Sequence, residues 1–200
     1  MKIVLASGNK GKIAEIQSIL AGHSIQMLPQ SHFNINDADE TGTTFIENAI
    51  IKARHAAELS QCPAIADDSG LEVDALKGQP GVHSARYAGL PSNDANNTAK
   101  LLDALEGTPQ PQRTARFHCV MVFMAHAGDP SPLIGHGVWE GEITHVSSGE
   151  NGFGYDPVFY VPEQQCSSAE LTSVVKNSLS HRAQALKQLM PQITRHFAQL

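Results

Sequence analysis

The chain opens on an apolar run, Ile3-Val4-Leu5-Ala6, that gives way at once to the polar and glycine-bearing stretch Ser7 to Lys12. Ile13, Ile16, Ile19 and Leu20 then recur three or four residues apart, the spacing of one helix face, with Gly22 placed to close the helix. A strand, a glycine turn and a helix begin an α/β unit. Thr44-Phe45-Ile46-Glu47 has the spacing of a capping box, which predicts a second helix with Phe45, Ala49, Ala53 and Ala56 as its apolar face. Lys52 follows Phe45 by two turns and falls on that same face. Pro63 to Asp67 reads as a short buried strand. Asn93 to Leu105 predicts a helix with Leu101, Leu102 and Leu105 inward. "RFHCVMVFMA" from Arg116 predicts a long strand, "HAGDPSP" a turn, and Leu133 to Thr144 a returning strand, together an antiparallel hairpin. "GFGYDPVFYV" predicts a further strand with glycines at its start. The C-terminal third predicts helices, with a second capping box at Ser167 and Glu170 and a new helix from Ser180 that Pro191 kinks or ends.

This pattern is an α/β fold. Loop-rich segments around Gly78–Pro91 and Gly107–Arg113 suggest two lobes, one from the first half and the C-terminal helices, the other formed or extended by the hairpin strands. The chain has 200 residues, 41% hydrophobic and 17% charged, enough to bury a sizeable core. A formal net charge of −6 argues against a general nucleic-acid or membrane-surface role. An anionic ligand would need the few cations gathered where it binds. Cys62, Cys119 and Cys166 form no CxxC pair, so neither a zinc site nor a disulfide framework is indicated. The apolar N-terminal run is too short for a signal peptide and no later run spans a bilayer. The expectation is a cytoplasmic protein.

Several stretches carry candidate chemistry, each with a plainer explanation beside it. In "SGNKGK", backbone amides at a helix start and the helix dipole favour a phosphate, and Lys12 adds a point charge. This is no Walker A loop, because Ile13 stands where a magnesium-holding Ser or Thr would be. An ordinary strand–helix turn explains the stretch as well. Glu40 lies in an acidic loop with Asp37 and Asp39, a solvated loop unless it meets the Asp67-Asp68 pair. If it does, Glu40 and Asp68 supply the oxygen ligands that magnesium takes along with substrate phosphates. Lys52 is either a lysine snorkelling off an apolar stripe or a cation aimed into a cleft. Phe153, between Gly152 and Gly154, is a core ring at a bulge or a platform for a planar base. Lys176, His181 and Arg182 cluster around a helix start, where cations oppose the dipole unless an electron-rich ligand sits there. No GxSxG element or flanked Cys nucleophile appears. If the strand continues through Asp68, Asp67 and Asp68 point to opposite faces. Asp67 is then available to orient a lysine or a water, or to cap a turn at Ser69-Gly70.

Taken in order, "SGNKGK", "DETGTTFIENAIIKA", "ADDSGLEVDAL", "GVHSARYAG", "GFGYDPVF" and "KNSLSHRAQAL" resemble the inosine triphosphate pyrophosphatase family, also described as dITP/XTP or non-standard purine NTP pyrophosphatases, and most closely its bacterial members. The resemblance covers nearly the whole chain. It implies one domain over 1–200 with an elongated mixed β-sheet flanked by helices and an active-site cleft between two lobes. It implies Mg2+-dependent hydrolysis of ITP, dITP or XTP between the α and β phosphates, giving the monophosphate and pyrophosphate. Ser7, Gly8, Asn9, Lys10, Gly11 and Lys12 would hold the triphosphate. Glu40 and Asp68 would bind the metal, and Asp68 would accept the proton of the attacking water. Lys52 would neutralise phosphate charge and Ser69 would touch the substrate. Phe153, Gly154, Tyr155, Asp156 and Lys176 would flank the nucleotide, and His181 and Arg182 would read the 6-oxo group. The expected partners are small purine nucleotides and a second copy of the chain, with no nucleic acid or membrane. Rival readings are a phosphatase with an aspartate nucleophile, a pyrimidine triphosphate hydrolase and a nucleotide-binding regulator without turnover.

Overall fold

A computed structural model describes residues 2–21 and 25–198. Its seven-stranded mixed sheet has the order β2-β1-β3-β4-β5-β6-β7. The strands are β1 (Lys2–Leu5), β2 (Gln26–Pro29), β3 (Ala64–Val73), β4 (Thr114–Met124), β5 (Leu133–Ile143), β6 (Phe159–Val161) and β7 (Cys166–Ser167). The helices are α1 (Lys10–Ile19), α2 (Phe45–Ser60), α3 (Asp94–Ala104), α4 (Ser173–Leu179) and α5 (His181–Ala198). β1 runs parallel to β2 and β3, with Val4 opposite Ala64 and Leu5 opposite Ile65, whereas β6 is antiparallel to β5 and β7. Among the described residues, no helix is long and apolar enough to cross a membrane.

The chain divides into two compact units. Residues 1–68, 119–137 and 181–200 form the first, and 69–118 with 138–180 form the second. These boundaries differ from those anticipated from the loops. The first half divides between Asp68 and Ser69, α3 belongs to the second unit, and both hairpin strands contribute to both units. Loop-rich segments mark chain reversals, but a long strand can give one end to each of two cores.

The first unit is layered by strand alternation. Ile3, Leu5, Ile65, Met121 and Phe123 bury against Ile16 of α1 and Leu186, Leu189 and Ile193 of α5. Their neighbours Val4, Ala64, Ala66, Val120 and Val122 bury on the opposite face with Ala49, Ala53 and Ala56 of α2. Strands covered on both faces read as unbroken apolar runs, which is why these segments show no polar alternation. The capping box of α2 forms as expected. Thr44 Oγ1 accepts from Glu47 N at 3.3 Å, and Glu47 Oε2 accepts from Thr44 N at 2.9 Å. Gly135 and Gly137 of β5 let the backbone of α5 press onto the strand. A Cβ at these positions would lie 2.3 Å from the Ala185 carbonyl oxygen and 1.9 Å from that of His181. The second unit has its own core, in which Leu71, Val73, Leu101, Leu105, Trp139 and Phe159 pack together.

Four local expectations are corrected. β3 runs on to Val73, so Ser69-Gly70 is strand and offers no turn for Asp67 to cap. Only Phe159–Val161 of "GFGYDPVFYV" is strand, because Gly152 and Gly154 take φ of +78° and +62°, left-handed values that turn the chain. Of the two outcomes expected at Pro191, ending the helix does not occur: α5 continues to Ala198 with Leu189, Met190 and Ile193 buried, so packing outweighs one lost backbone bond. The Ser167–Glu170 capping box closes a single 3₁₀ turn rather than a long helix. Gly22 lies outside the described residues.

Candidate active site

The alternation that sorts the core also sorts the two adjacent carboxylates. Asp67 continues the Ile65 face and meets residues of α1 and α5. Asp68 continues the Ala66 face and meets residues of α2. Both belong to the first unit and both are buried.

On the α2 face, Lys52 Nζ donates to Asp68 Oδ1 at 2.8 Å and to Glu40 Oε1 at 2.7 Å, bridging the two carboxylates. Asn48, one turn before Lys52, donates from Nδ2 to Asp68 Oδ2 at 3.3 Å and accepts from Gly42 N at 2.8 Å. That second bond ties the loop carrying Glu40 to the helix carrying Lys52. Burial raises the Asp68 carboxyl above its ordinary value; Lys52 and Lys12 oppose this without cancelling it, and Glu40 adds to the rise. Desolvation is therefore the dominant influence on this carboxyl. Burial works against the Lys52 ammonium, yet Asp68, Asp67 and Glu40 hold its pKa above the ordinary lysine value.

On the other face, Asp67 Oδ2 lies 2.9 Å from Lys12 Nζ and 3.6 Å from an Arg182 guanidinium nitrogen, while Arg182 Nη1 also donates to Glu15. Burial would raise the Asp67 carboxyl, but Lys12, Arg182 and Lys52 drive it far below the usual carboxylate range. Asp67 is thus a fixed anion. Cys119 lies on this face, and burial pushes its thiol well above the ordinary cysteine value.

The stretch "SGNKGK" forms an exposed turn at the start of α1. Asn9 caps the helix, accepting from Lys12 N at 3.1 Å, and Ser7 Oγ accepts from Asn9 N at 3.2 Å. At Gly8 a Cβ would lie 2.7 Å from an Asp37 carboxylate oxygen, so a larger residue would displace that side chain. Lys10 and Gly11 occupy the first turn of α1.

In the second unit, Asp156 organises the "GFGYDP" turn. It accepts from Phe153 N at 2.8 Å, Ser168 Oγ at 2.8 Å and Lys176 Nζ at 2.6 Å. A Cβ at Gly152 would lie 2.1 Å from the same carboxylate. Lys176 Nζ stands 5.1 Å from the Phe153 ring centroid, a cation–ring contact. Tyr155 donates its hydroxyl to the Ser84 carbonyl at 2.8 Å, and Gly154 N donates to Asp94 at 2.8 Å. Ser69 is half-buried in β3.

The chain therefore brings Glu40, Lys52 and Asp68 together on one face, and Lys12, Asp67 and Arg182 on the other. Lys176 does not stand at a helix start. It lies in the last turn of α4, where the dipole favours a cation. His181 and Arg182 do begin α5, and both are buried. Three participants escaped the sequence reading: Asn48, Glu15 and Asp37. The first two had a signal, as each is a polar residue on an otherwise buried helix stripe. Asp37 had none, because its contact with Gly8 depends on a long loop.

Residues 3–192 match the model of the Ham1 family. A relative from Vibrio parahaemolyticus named dITP/XTP pyrophosphatase is 59% identical over 99% of both chains. A solved Ham1 protein from Coxiella burnetii is 53% identical with a TM-score of 0.90, over 98% of this chain and 99% of that one. One from Staphylococcus aureus is 41% identical with a TM-score of 0.86, over 98% and 100%. The ordered motifs, the mixed sheet and these likenesses agree, and the chain belongs to the Ham1 family.

Proposed function

We propose that this chain hydrolyses non-standard purine nucleoside triphosphates, ITP, dITP and XTP, to the monophosphate and pyrophosphate, keeping them out of DNA and RNA. The name carried by relatives near 60% identity supports the substrate class. One observation supports the chemistry: Asp68 is a buried carboxylate of raised pKa, faced by Lys52, Asn48 and, through Lys52, Glu40.

A carboxylate raised in this way holds a proton more tightly than an ordinary aspartate, which suits it to take the proton of the attacking water. Asn48 fixes the Asp68 carboxyl through its second oxygen. The amides at the start of α1 and the Lys12 ammonium would receive the triphosphate, and Lys52 would offset its charge. Glu40 and Asp68 fit magnesium by donor chemistry: both offer hard oxygens and both are close enough to share one ammonium. When bound, the ion would supply further positive charge to the phosphates. His181 and Arg182 are the proposed 6-oxo readers. A guanidinium has five N–H donors, and Arg182 would read the base with the same group that faces Glu15 and Asp67. Adenine presents a donor at that position and would leave such donors unpaired.

Purified protein with magnesium and, in turn, ITP, dITP, XTP, ATP, GTP and CTP tests the reading. Pyrophosphate release from the first three is expected. Inorganic phosphate as the product, or equal turnover of ATP, overturns it. A homodimer in the cytoplasm belongs to the same proposal; light scattering checks the first part and cell fractionation the second.

A further inference from the structure

We infer that Asp67 is a positioning residue for the phosphate turn: it clamps the Lys12 ammonium in place, and the buried Arg182–Glu15 pair braces Asp67 from behind. This rests on the reading of Ser7–Lys12 as the triphosphate site.

Lys12 sits in the first turn of α1, where its backbone amide is already held by the Asn9 cap. A free lysine side chain has considerable rotamer entropy to lose when it is ordered. Here the 2.9 Å contact with Asp67 fixes it in advance, with the Lys12 side chain 16% exposed and that of Asp67 wholly buried. A cation held before the phosphate arrives needs no reorganisation as charge develops. Asp67 can do this only if its carboxylate is itself held in place. Arg182 of α5 faces it from one side, and Glu15, one helical turn beyond Lys12, engages Arg182 in turn. Two carboxylates and two cationic side chains thus alternate in one contact network, Lys12 to Asp67 to Arg182 to Glu15. Strand alternation gives the task to Asp67 rather than Asp68, because only the odd-numbered positions of this part of β3 face α1 and α5.

The test is a double-mutant cycle on Lys12→Met and Asp67→Asn, reading kcat/KM for ITP per folded molecule with melting temperatures alongside. Asp67→Asn should lower kcat/KM by about 10- to 100-fold, by analogy with the loss on removing a residue that orients a metal ligand. The double variant should be no worse than Lys12→Met, because Asp67 acts through Lys12. Losses that multiply would overturn the inference, as would full activity of Asp67→Asn. A second measurement is independent of turnover: the rate at which an amine-reactive reagent labels Lys12, relative to Lys10, read by mass spectrometry. Lys12 should react more slowly in the wild type and approach Lys10 in Asp67→Asn, and an unchanged ratio would overturn the clamp. If Asp67→Asn does not fold, Asp67→Glu keeps the charge while displacing it, and should give an intermediate loss and intermediate labelling; wild-type values for both would count as failure. Wild-type protein that releases no pyrophosphate would sink the functional reading, and the labelling ratio would still decide the clamp.

Discussion

The two faces of β3 at Asp67 and Asp68 solve the same electrostatic problem in opposite ways. Each buries a carboxylate beside cations. On the α1 and α5 face, Lys12 and Arg182 outweigh desolvation and Asp67 is held ionised. On the α2 face, desolvation outweighs Lys52 and the Asp68 carboxyl stays raised. Lys52 is shared with Glu40, so part of its charge is spent on a second anion that itself pushes Asp68 up. One carboxylate is thus held ionised by its cations, and the other is left raised by its burial. They are consecutive residues, and only the pleat of the strand keeps their surroundings apart.

The sharpest way to break this contrast is Asp68→Asn. It should lower kcat by about 10³-fold or more while leaving much of the nucleotide affinity, the loss expected for a general base; rapid-quench turnover with equilibrium binding checks both, and near-normal turnover would return Asp68 to a supporting role. Arg182→Ala attacks the opposite face. It leaves Asp67 and Glu15 buried with less positive charge and should cost about 3–5 kcal/mol in urea unfolding, while narrowing the preference for ITP over ATP. A cost below about 1 kcal/mol would mean the network is not the buried unit described.

Lys52→Met refines the comparison through pH. With Asp68 in its proposed role as the base, activity rises as pH passes the raised Asp68 pKa. Lys52 lowers that pKa, and its removal should carry the acidic limb of kcat to higher pH with a loss of about 10- to 100-fold at neutral pH. A pH profile whose limb stays in place would detach Lys52 from Asp68. The smallest effect belongs to the second unit, where Asp74 pairs with Arg116 at 2.8 Å on the surface and its carboxyl falls to about 2. A depressed acid stabilises the fold above its unfolded value, and that contribution fades as pH falls through about 2. Asp74→Asn should therefore cost less than about 1 kcal/mol at neutral pH, and nothing further at the lowest pH, by thermal unfolding across pH.

Much of this was legible in the chain. The opening strand, the helices from near Lys10, Thr44 and Asn93 and the hairpin strands follow from apolar period and caps, which are local signals. The segregation of Asp67 from Asp68 also followed, because parity along a strand needs no tertiary knowledge. What escaped depends on contacts between distant segments. Arg182 reads as an exposed cation at a helix start until Glu15, 167 residues away, is seen to hold it. Lys176 reads similarly until α4 is seen to start at Ser173, which puts the lysine at the favourable end. The "GFGYDP" segment looked extended because Phe, Tyr and Val favour strands, but Asp156 gathers three donors and bends it into a turn.

Gly135 and Gly137 give the charged network an uncharged dependency. By having no side chains, they set the depth at which α5 lies on β5, and with it where the guanidinium of Arg182 stands. A single methyl at position 137 would act as a shim, lifting the start of the helix and pulling a cation away from Asp67 without altering any ionisable group. A survey of substitutions for lost activity would then mark a glycine on a strand far along the chain, and the marking would measure the thickness of the layer between sheet and helix.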